Sequence, residues 1–139
     1  IIRDGITVNL DIPENLPAVH CIPQQIEQLV MNLVNNSKYA LNEKYPEPDK
    51  NKIIDISAEV AQINNSRNIR LTFVDYGTGI PAERISDIKE PFCTTKPHGK
   101  GTGLGLSICE EIVTNHGGRF EIESEYGEFT RSTIYLPTE

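Results

Sequence analysis

The chain has 139 residues, which is the length of one domain with one hydrophobic core. Hydrophobic residues make up 37% and charged residues 24% of it, as in ordinary soluble domains, and no apolar run is long enough to span a bilayer. The net charge of −7 argues against general nucleic-acid binding, which needs a basic face.

The three cysteines, Cys21, Cys93 and Cys109, lie too far apart to form a metal-binding pattern, and they indicate no disulfide framework. A reduced, cytoplasmic setting is the simplest interpretation, and the first residues do not have the pattern of a signal peptide. The opening Ile1-Ile-Arg-Asp lacks an initiator Met, so we expect the chain to be a fragment of a longer protein.

Apolar and polar residues alternate in five stretches, which is typical of strands, and two longer stretches have helical spacing. In chain order we predict a strand at 6–12, a helix at about 23–42, a polar loop at 45–52, strands at 54–60 and 69–73, a segment at 81–103 with one weak helical pattern, a helix at 104–115, and strands at 120–124 and 130–136.

Five strands and two or three helices in mixed order favour helices packed on one face of a sheet. We therefore predict one α/β (α+β) domain over residues 1–139. Its architecture would be a two-layer sandwich, in which about three helices cover one face of a mixed, mostly antiparallel, five-stranded sheet.

Six of the ten glycines lie between residues 77 and 105, and the segment "GKGTGLGLS" at 99–107 runs into a predicted helix. Backbone N–H groups and the dipole at a helix start attract phosphates. The spacings G-x-G-x-x-G and G-x-x-x-x-G-K-[ST] are both absent from the sequence. A phosphate-binding loop and a flexible surface loop therefore both remain open.

Asp75 follows a predicted strand and shares the parity of Ile69, Leu71 and Phe73, so we expect it to point toward the core. A buried carboxylate needs hydrogen-bond donors. An exocyclic amine on a flat heterocycle would be a suitable donor, and Gly77 would leave the backbone open beside it. The alternative is an aspartate that caps its own turn.

Asn32 and Asn36 lie four residues apart, which places them side by side on the first helix at the edge of its apolar stripe. Asparagine is unfavourable in a helix interior, so two at this spacing suggest a shared task. An amide oxygen offered to a hard cation such as Mg²⁺ is one such task. Two exposed asparagines without a function are the alternative.

Four motifs in this order resemble those of the ATP-binding catalytic domain of bacterial sensor histidine kinases. The motif "QLVMNLVNNSKYA" at 28–40 resembles the family's N box, and "DYGTGI" at 75–80 resembles its first glycine box. The motif "EPFCTTK" at 90–96 is similar to the F box and "GKGTGLGLS" to the second glycine box. The closing stretch at 116–137 resembles the family's last strands.

This resemblance implies the Bergerat ATP-binding sandwich. Asp75 would bind the adenine amine, Gly77, Gly79 and Ile80 would lie beside the ring, and Thr130 would make a water-mediated adenine contact. The sequence departs from the family at Cys93, where Phe is common, and around Thr130, because Phe129 and Ser132 replace the usual residues.

The resemblance also implies that Asn36 holds Mg²⁺, that Asn32 contacts the phosphates, and that residues 81–103 form a mobile ATP lid. Lys96 or Lys100 would contact the γ-phosphate, unless these lysines are simply solvated; Phe92 would pack to hold the lid. The lid and second glycine box would complete the nucleotide site with Phe92, Thr95, Lys96, Lys100, Gly101, Thr102, Gly103, Leu104, Gly105 and Leu106.

Hydrolysing members of the superfamily carry Glu four residues before the Mg²⁺ asparagine, and this chain has Asn32 there. An amide cannot act as a general base. The resemblance therefore implies a protein histidine kinase that binds Mg-ATP without strong hydrolysis and presents the γ-phosphate to an imidazole. Asn32 and Lys96 would contribute to catalysis by positioning and charge neutralisation.

A histidine kinase also needs a phosphoacceptor histidine on a dimerising helix. His20, His98 and His116 do not fit that role; we interpret His20 and His116 as structural or solvated. We expect the acceptor and dimerisation helices to precede residue 1, the full-length protein to be a homodimer with a response regulator as partner, and this fragment to be monomeric. The full-length protein could be membrane-anchored.

The alternatives to a histidine kinase domain are a hydrolysing ATPase module of the same fold and a non-catalytic regulatory domain.

Overall fold

The computed structural model of the protein describes residues 5–85 and 105–138. Its elements in chain order are β1 (Thr7–Asp11), α1 (Pro23–Lys44), β2 (Ile53–Ile63), β3 (Ser66–Asp75), a short 3₁₀ turn (Ala82–Arg84), α2 (Gly105–Asn115), β4 (Arg119–Glu125) and β5 (Phe129–Pro137). The strands form one sheet in the order β1-β2-β3-β5-β4. β1 pairs parallel with β2, and the other neighbours pair antiparallel, so the predicted mixed and mostly antiparallel sheet is confirmed.

The helices differ slightly from the prediction of about three. Two α-helices and the three-residue 3₁₀ turn occur in the described residues. The weak helical pattern predicted within 81–103 is described only as far as residue 85, and the rest of that segment lies outside the described residues. Within the described ranges, neither helix combines the length and the apolarity that crossing a bilayer requires.

α1 forms because its apolar residues recur every three or four positions and line one side of the helix. Pro23 occupies the first turn, where its missing N–H removes no helical hydrogen bond. Ile22 precedes it as the N-cap and provides no side-chain cap, as its apolar side chain predicts. The side of α1 that faces the sheet buries Leu29, Leu33, Ser37 and Leu41.

The main core lies between the two helices and one face of the sheet. The strand residues that face the helices alternate with outward-facing ones, which confirms the predicted two-layer arrangement. The buried members of this core are Leu29, Leu33, Phe73, Cys109, Ile112, Val113, Phe120, Ile134 and Leu136. A smaller cluster of Ile6, Leu41 and Ile54 closes the β1 side of the sheet.

The opposite face of the sheet is polar, and charged side chains on it form ion pairs with one another. Arg70 on β3 forms an ion pair with Glu59 on β2, and Arg131 on β5 forms one with Glu123 on β4. These pairs are half-exposed, so each contributes less than about 1 kcal/mol to stability. In the described residues, these two pairs link neighbouring strands on the face away from the helices.

His116 joins the start of α1 to the end of α2. Its Nδ1 lies 2.7 Å from the carbonyl oxygen of Ile112, and its Nε2 lies 3.1 Å from the backbone nitrogen of Ile22. Because a carbonyl only accepts, Nδ1 carries the proton, and Nε2 accepts from the Ile22 N–H. The ring therefore supplies an acceptor at the start of α1, where the Ile22 side chain provides no cap, which confirms the structural interpretation of this histidine.

We expect the substitution His116→Ala to lower the free energy of unfolding by about 1 kcal/mol, because it removes the acceptor for a helix-start N–H. Urea denaturation followed by circular dichroism measures this change. Thr114→Ala, an exposed position one residue before the end of the same helix, is the matched control and should change stability little. An equal effect of both substitutions would contradict the capping role of His116.

Candidate functional site

Polar side chains meet at one end of the sheet, where β3 ends and β5 begins. Asp75, the last residue of β3, is paired with Thr130 on β5, and Thr130 is paired with Ser124 on β4. These three residues share the parity of the core positions and so lie on the helix side of the sheet. They form a row of three polar residues across neighbouring strands, which we call the acceptor row.

Asp75 is buried, with only 4% of its surface exposed, as its strand parity predicts. Its Oδ1 accepts a hydrogen bond from the backbone N–H of Gly77 at 3.0 Å, and the hydroxyl of Ser37 on α1 also hydrogen-bonds the carboxylate. The alternative interpretation, in which Asp75 caps its own turn, is thus correct as far as this contact goes. A carboxylate has about four lone-pair positions, so these two donors do not exhaust its capacity.

Burial raises the pKa of Asp75 from 3.8 to about 6, because the charged form loses water. The Gly77 N–H, the Ser37 hydroxyl and the positive charge of Lys44 oppose this shift, and they do not cancel it. The site therefore holds a carboxylate that is charged at neutral pH and incompletely compensated by the protein. Such a group favours a ligand that brings further donors.

Gly77 and Gly79 have structural reasons to lack a side chain. A Cβ atom on Gly77 would lie 2.7 Å from the backbone of Ala40, so α1 and the turn after β3 touch at this point. Gly79 has φ of +72°, and a Cβ there would lie 2.4 Å from the carbonyl oxygen of Glu125. A role of these glycines in letting a ring approach stays a prediction, because the contacts described here are with other parts of the protein.

The turn after β3 is held against the hairpin that joins β4 to β5. The Ile80 N–H donates to Ser124 Oγ at 2.8 Å, and the Gly127 N–H donates to the Thr78 carbonyl at 2.6 Å. From the end of α1, the ammonium group of Lys44 donates to the Gly127 carbonyl at 2.7 Å. Three separate parts of the chain are therefore fixed around the acceptor row.

Asn32 and Asn36 on α1 are both half-buried, so the alternative of two exposed asparagines is wrong. Asn36 directly precedes Ser37, which places it one residue from a partner of Asp75. Asn32 lies one turn earlier, and its Nδ2 is buried without a hydrogen-bond partner in the described part of the chain. The structure thus places both amides on the partly buried surface of α1, with Asn36 next to a partner of Asp75 and Asn32 beside Cys109 of α2.

Cys109 of α2 lies beside Asn32. Its thiol is fully buried and lies 4.0 Å from the carbonyl oxygen of Leu29. Burial raises the pKa of Cys109 to about 12, although the Asn32 side chain opposes the shift. A thiol is a weak acceptor, so this contact orients the Asn32 amide without satisfying it. Cys109 is consequently an unreactive core residue, and Cys21 is exposed.

Most of the sequence-predicted positions of the lid lie outside the described residues. Gly105 is the first described residue of α2, and the half-buried side chain of Leu106 packs against the main core. Nothing is described for Cys93 or His98. The site positions that fall outside the described ranges are Phe92, Thr95, Lys96, Lys100, Gly101, Thr102, Gly103 and Leu104.

Three residues of the site were not singled out from the sequence: Ser37, Lys44 and Ser124. Ser37 interrupts an otherwise apolar stripe on α1, and Ser124 shares the parity of Phe120 and Ile122 on β4; both patterns mark a polar group among core positions. The position of Lys44 at the end of α1 has no such signal, because a lysine in a last helical turn is common.

The sequence profile of the family described as histidine kinase-, DNA gyrase B-, and HSP90-like ATPase matches residues 21–139. Sensor protein TdiS of Thauera aromatica is 35% identical over 91% of this chain, and sporulation kinase E of Bacillus subtilis is 30% identical over 96% of it. The chain spans 22% and 16% of the lengths of these two relatives.

The fold is also that of a solved histidine kinase domain. The catalytic domain of histidine kinase ThkA, in a nucleotide-free form, is 27% identical and superposes with a TM-score of 0.75; the match covers 99% of this chain and 82% of the other. The resemblance to the ATP-binding catalytic domain of sensor histidine kinases is thereby confirmed. The chain belongs to the histidine kinase-, DNA gyrase B-, and HSP90-like ATPase family.

Proposed function

We propose that the chain binds Mg-ATP and donates the γ-phosphate to a histidine on a separate dimerisation domain of the same protein. The phosphate would then pass to a response regulator in two-component signalling. The observation that carries this proposal is the buried, undercompensated carboxylate of Asp75, found at the end of the sheet in a chain of this ATPase family.

The base would lie against the acceptor row. The Asp75 carboxylate is fixed by Gly77 and Ser37 and keeps free lone pairs, so it accepts a hydrogen bond from an amino group. Burial strengthens that bond, because no water competes with the ligand. The chemistry of the side chain thus supports the sequence prediction that Asp75 binds the adenine amine.

The phosphates would lie toward Asn32 and Asn36. An amide oxygen is a suitable ligand for Mg²⁺, which takes its other ligands from water and from phosphate oxygens. Asn36 is half-buried next to Ser37, so it fits the role of a single neutral ligand on the wall of the site. When bound, Mg²⁺ supplies charge neutralisation of the phosphate oxygens.

Asn32 would keep hydrolysis slow. An amide neither accepts a proton from water nor becomes a base, and the buried Nδ2 is the unsatisfied donor of this side chain. A phosphate oxygen is an acceptor that would satisfy this donor. Asn32 then positions the phosphates without activating water, and we propose that Lys96, from the predicted lid, neutralises charge on the γ-phosphate.

The remaining parts of the proposal concern the full-length protein. The relatives are several times longer than this chain, in agreement with a catalytic module over residues 1–139 that works with a dimerisation and phosphoacceptor domain. We propose that the fragment is monomeric, that the full-length protein is a homodimer, and that the module acts in the cytoplasm, with or without a membrane anchor elsewhere in the protein.

Phosphotransfer is tested with γ-labelled ATP. We expect the 139-residue chain alone to take up no label, and to label a histidine when the dimerisation domain of the same protein is added. The product should be acid-labile and base-stable, as a phosphohistidine is. Stable incorporation into the chain itself would contradict the proposal.

A hydrolysing ATPase of the same fold is the competing function. It would release phosphate at steady state without any acceptor, whereas the proposed kinase module would release almost none. A phosphate-release assay under the same conditions, with and without the dimerisation domain, separates the two functions.

The raised pKa of Asp75 predicts opposite effects of pH on stability and on binding. The folded state holds the proton more tightly than the unfolded state, so the ligand-free chain should lose stability as pH rises from about 4 to about 6, by up to about 3 kcal/mol. ADP affinity should instead fall as pH drops below about 6, because a protonated Asp75 accepts poorly.

Asp75→Asn should abolish both dependences. An amide oxygen still accepts from Gly77, so the variant should unfold no more readily than the wild type at pH 7 and should nevertheless bind ADP poorly. Urea denaturation and calorimetric titration at several pH values measure the two effects. Asp11→Asn, at an exposed position on β1, is the control, and a loss of binding there would contradict the assignment.

Asn36→Ala should remove the Mg²⁺-dependent part of nucleotide binding. We expect Mg²⁺ to tighten ADP binding by the wild type about tenfold, equivalent to roughly 1.4 kcal/mol, and to leave the variant unchanged. Affinities in EDTA should be alike. Asn35→Ala, the exposed neighbour on α1, is the control. An equal Mg²⁺ effect in wild type and Asn36→Ala would remove Asn36 from the metal site.

A further inference from the structure

Ser124 joins three parts of the site through one hydroxyl group. Its Oγ lies 2.8 Å from the Ile80 backbone nitrogen, 2.6 Å from the Phe129 carbonyl oxygen and 3.1 Å from the Thr130 hydroxyl oxygen. The side chain is half-buried on the helix side of β4. The proposed function gives this residue no role of its own, although it is the member of the acceptor row that contacts both the Ile80 backbone and Thr130.

The directions of these hydrogen bonds follow from the protons available. A serine hydroxyl has one proton and two lone pairs. The Phe129 carbonyl can only accept, so the Ser124 proton points to it, and the Ile80 N–H donates to one lone pair. The other lone pair faces Thr130, so the Thr130 hydroxyl donates to Ser124.

This direction determines what Thr130 offers to a ligand. With its proton committed to Ser124, the Thr130 oxygen presents only lone pairs. Thr130 is the cross-strand neighbour of Asp75, and the Cβ atoms of such pairs lie about 5 Å apart. The wall of the site therefore presents two acceptors side by side and no hydroxyl donor at this point.

We propose that Ser124 is a positioning residue that makes the site selective for 6-aminopurine nucleotides over 6-oxopurine nucleotides, by fixing Thr130 as an acceptor next to Asp75. The inference rests on the proposed nucleotide-binding function. An amino group carries two N–H donors, which suit two adjacent acceptors. A 6-oxo group carries lone pairs instead of N–H donors, so both acceptors would repel it.

The loss of Ser124 would release this constraint. Without its Oγ, the Thr130 hydroxyl would be free to rotate and donate to a 6-oxo group, while the Asp75 carboxylate would still oppose that group. We therefore expect Ser124 to contribute part of the selectivity and Asp75 the rest. A role limited to holding the Ile80 turn would instead weaken all nucleotides alike.

The test compares ADP with IDP, its 6-oxo counterpart, by calorimetric titration of the 139-residue chain with Mg²⁺. We expect the wild type to prefer ADP. Ser124→Ala should lower the ratio of the ADP affinity to the IDP affinity about fivefold, which corresponds to the net contribution of one hydrogen bond. Ser124→Thr keeps the hydroxyl and should restore the wild-type ratio. Ser132→Ala, two residues from Thr130 on the same side of β5, should leave the ratio unchanged.

An unchanged ratio in Ser124→Ala, with both affinities lowered equally, would overturn the inference and leave the proposed function intact. Failure of the wild type to bind either nucleotide would instead overturn the proposed function. If Ser124→Ala does not fold, Thr130→Val provides the same test, since it removes the second acceptor and leaves the contact between Ile80 and Ser124 in place. It should also lower the ratio, and an unchanged ratio there would contradict the inference.

Discussion

The burial of the Asp75 carboxylate constrains the rest of the site. A charge with 4% exposure is tolerated only where donors and positive charge surround it, and these come from three places. The turn after β3 supplies the Gly77 N–H, α1 supplies the Ser37 hydroxyl, and the last turn of α1 supplies the charge of Lys44. The helix must therefore lie close to the turn, and the contact between Gly77 and the backbone of Ala40 shows how close it lies. The position of α1 therefore determines which donors and which positive charge surround Asp75.

The sequence predicted those parts of the fold and site that depend on local periodicity. The period of two placed Asp75 on the core side of β3, and the i, i+4 spacing placed Asn32 and Asn36 together on α1. The hydrogen bonds of Ser124 and of Lys44 could not be predicted in this way. They depend on the register between β4 and β5 and on the contact of their hairpin with a turn more than 40 residues earlier in the chain. Patterns within one element carry no information about such pairings.

The glycines show a related limit of sequence reasoning. A missing Cβ indicates that something approaches the backbone closely, and the sequence does not say what approaches. At Gly77 the neighbour is α1, and at Gly79 it is the end of β4, so both glycines serve the packing of the protein. The same contacts hold the backbone beside Asp75 in place. A role in admitting a ligand and a role in packing are therefore compatible, and only the second follows from the described contacts.

The polarity of the site fixes the orientation of a nucleotide in the proposed function. At the acceptor row, backbone N–H groups of Gly77 and Ile80 are already bound to Asp75 and Ser124, so acceptors face the ligand. A polyanionic triphosphate would be repelled there by the charge of the Asp75 carboxylate. On α1, by contrast, the buried Nδ2 of Asn32 is a donor that lacks a partner in the described residues. In the proposed function the base would therefore lie at the end of β3 and the phosphates beside α1, so hydrogen-bond polarity would distinguish the two ends of the ligand before shape is considered.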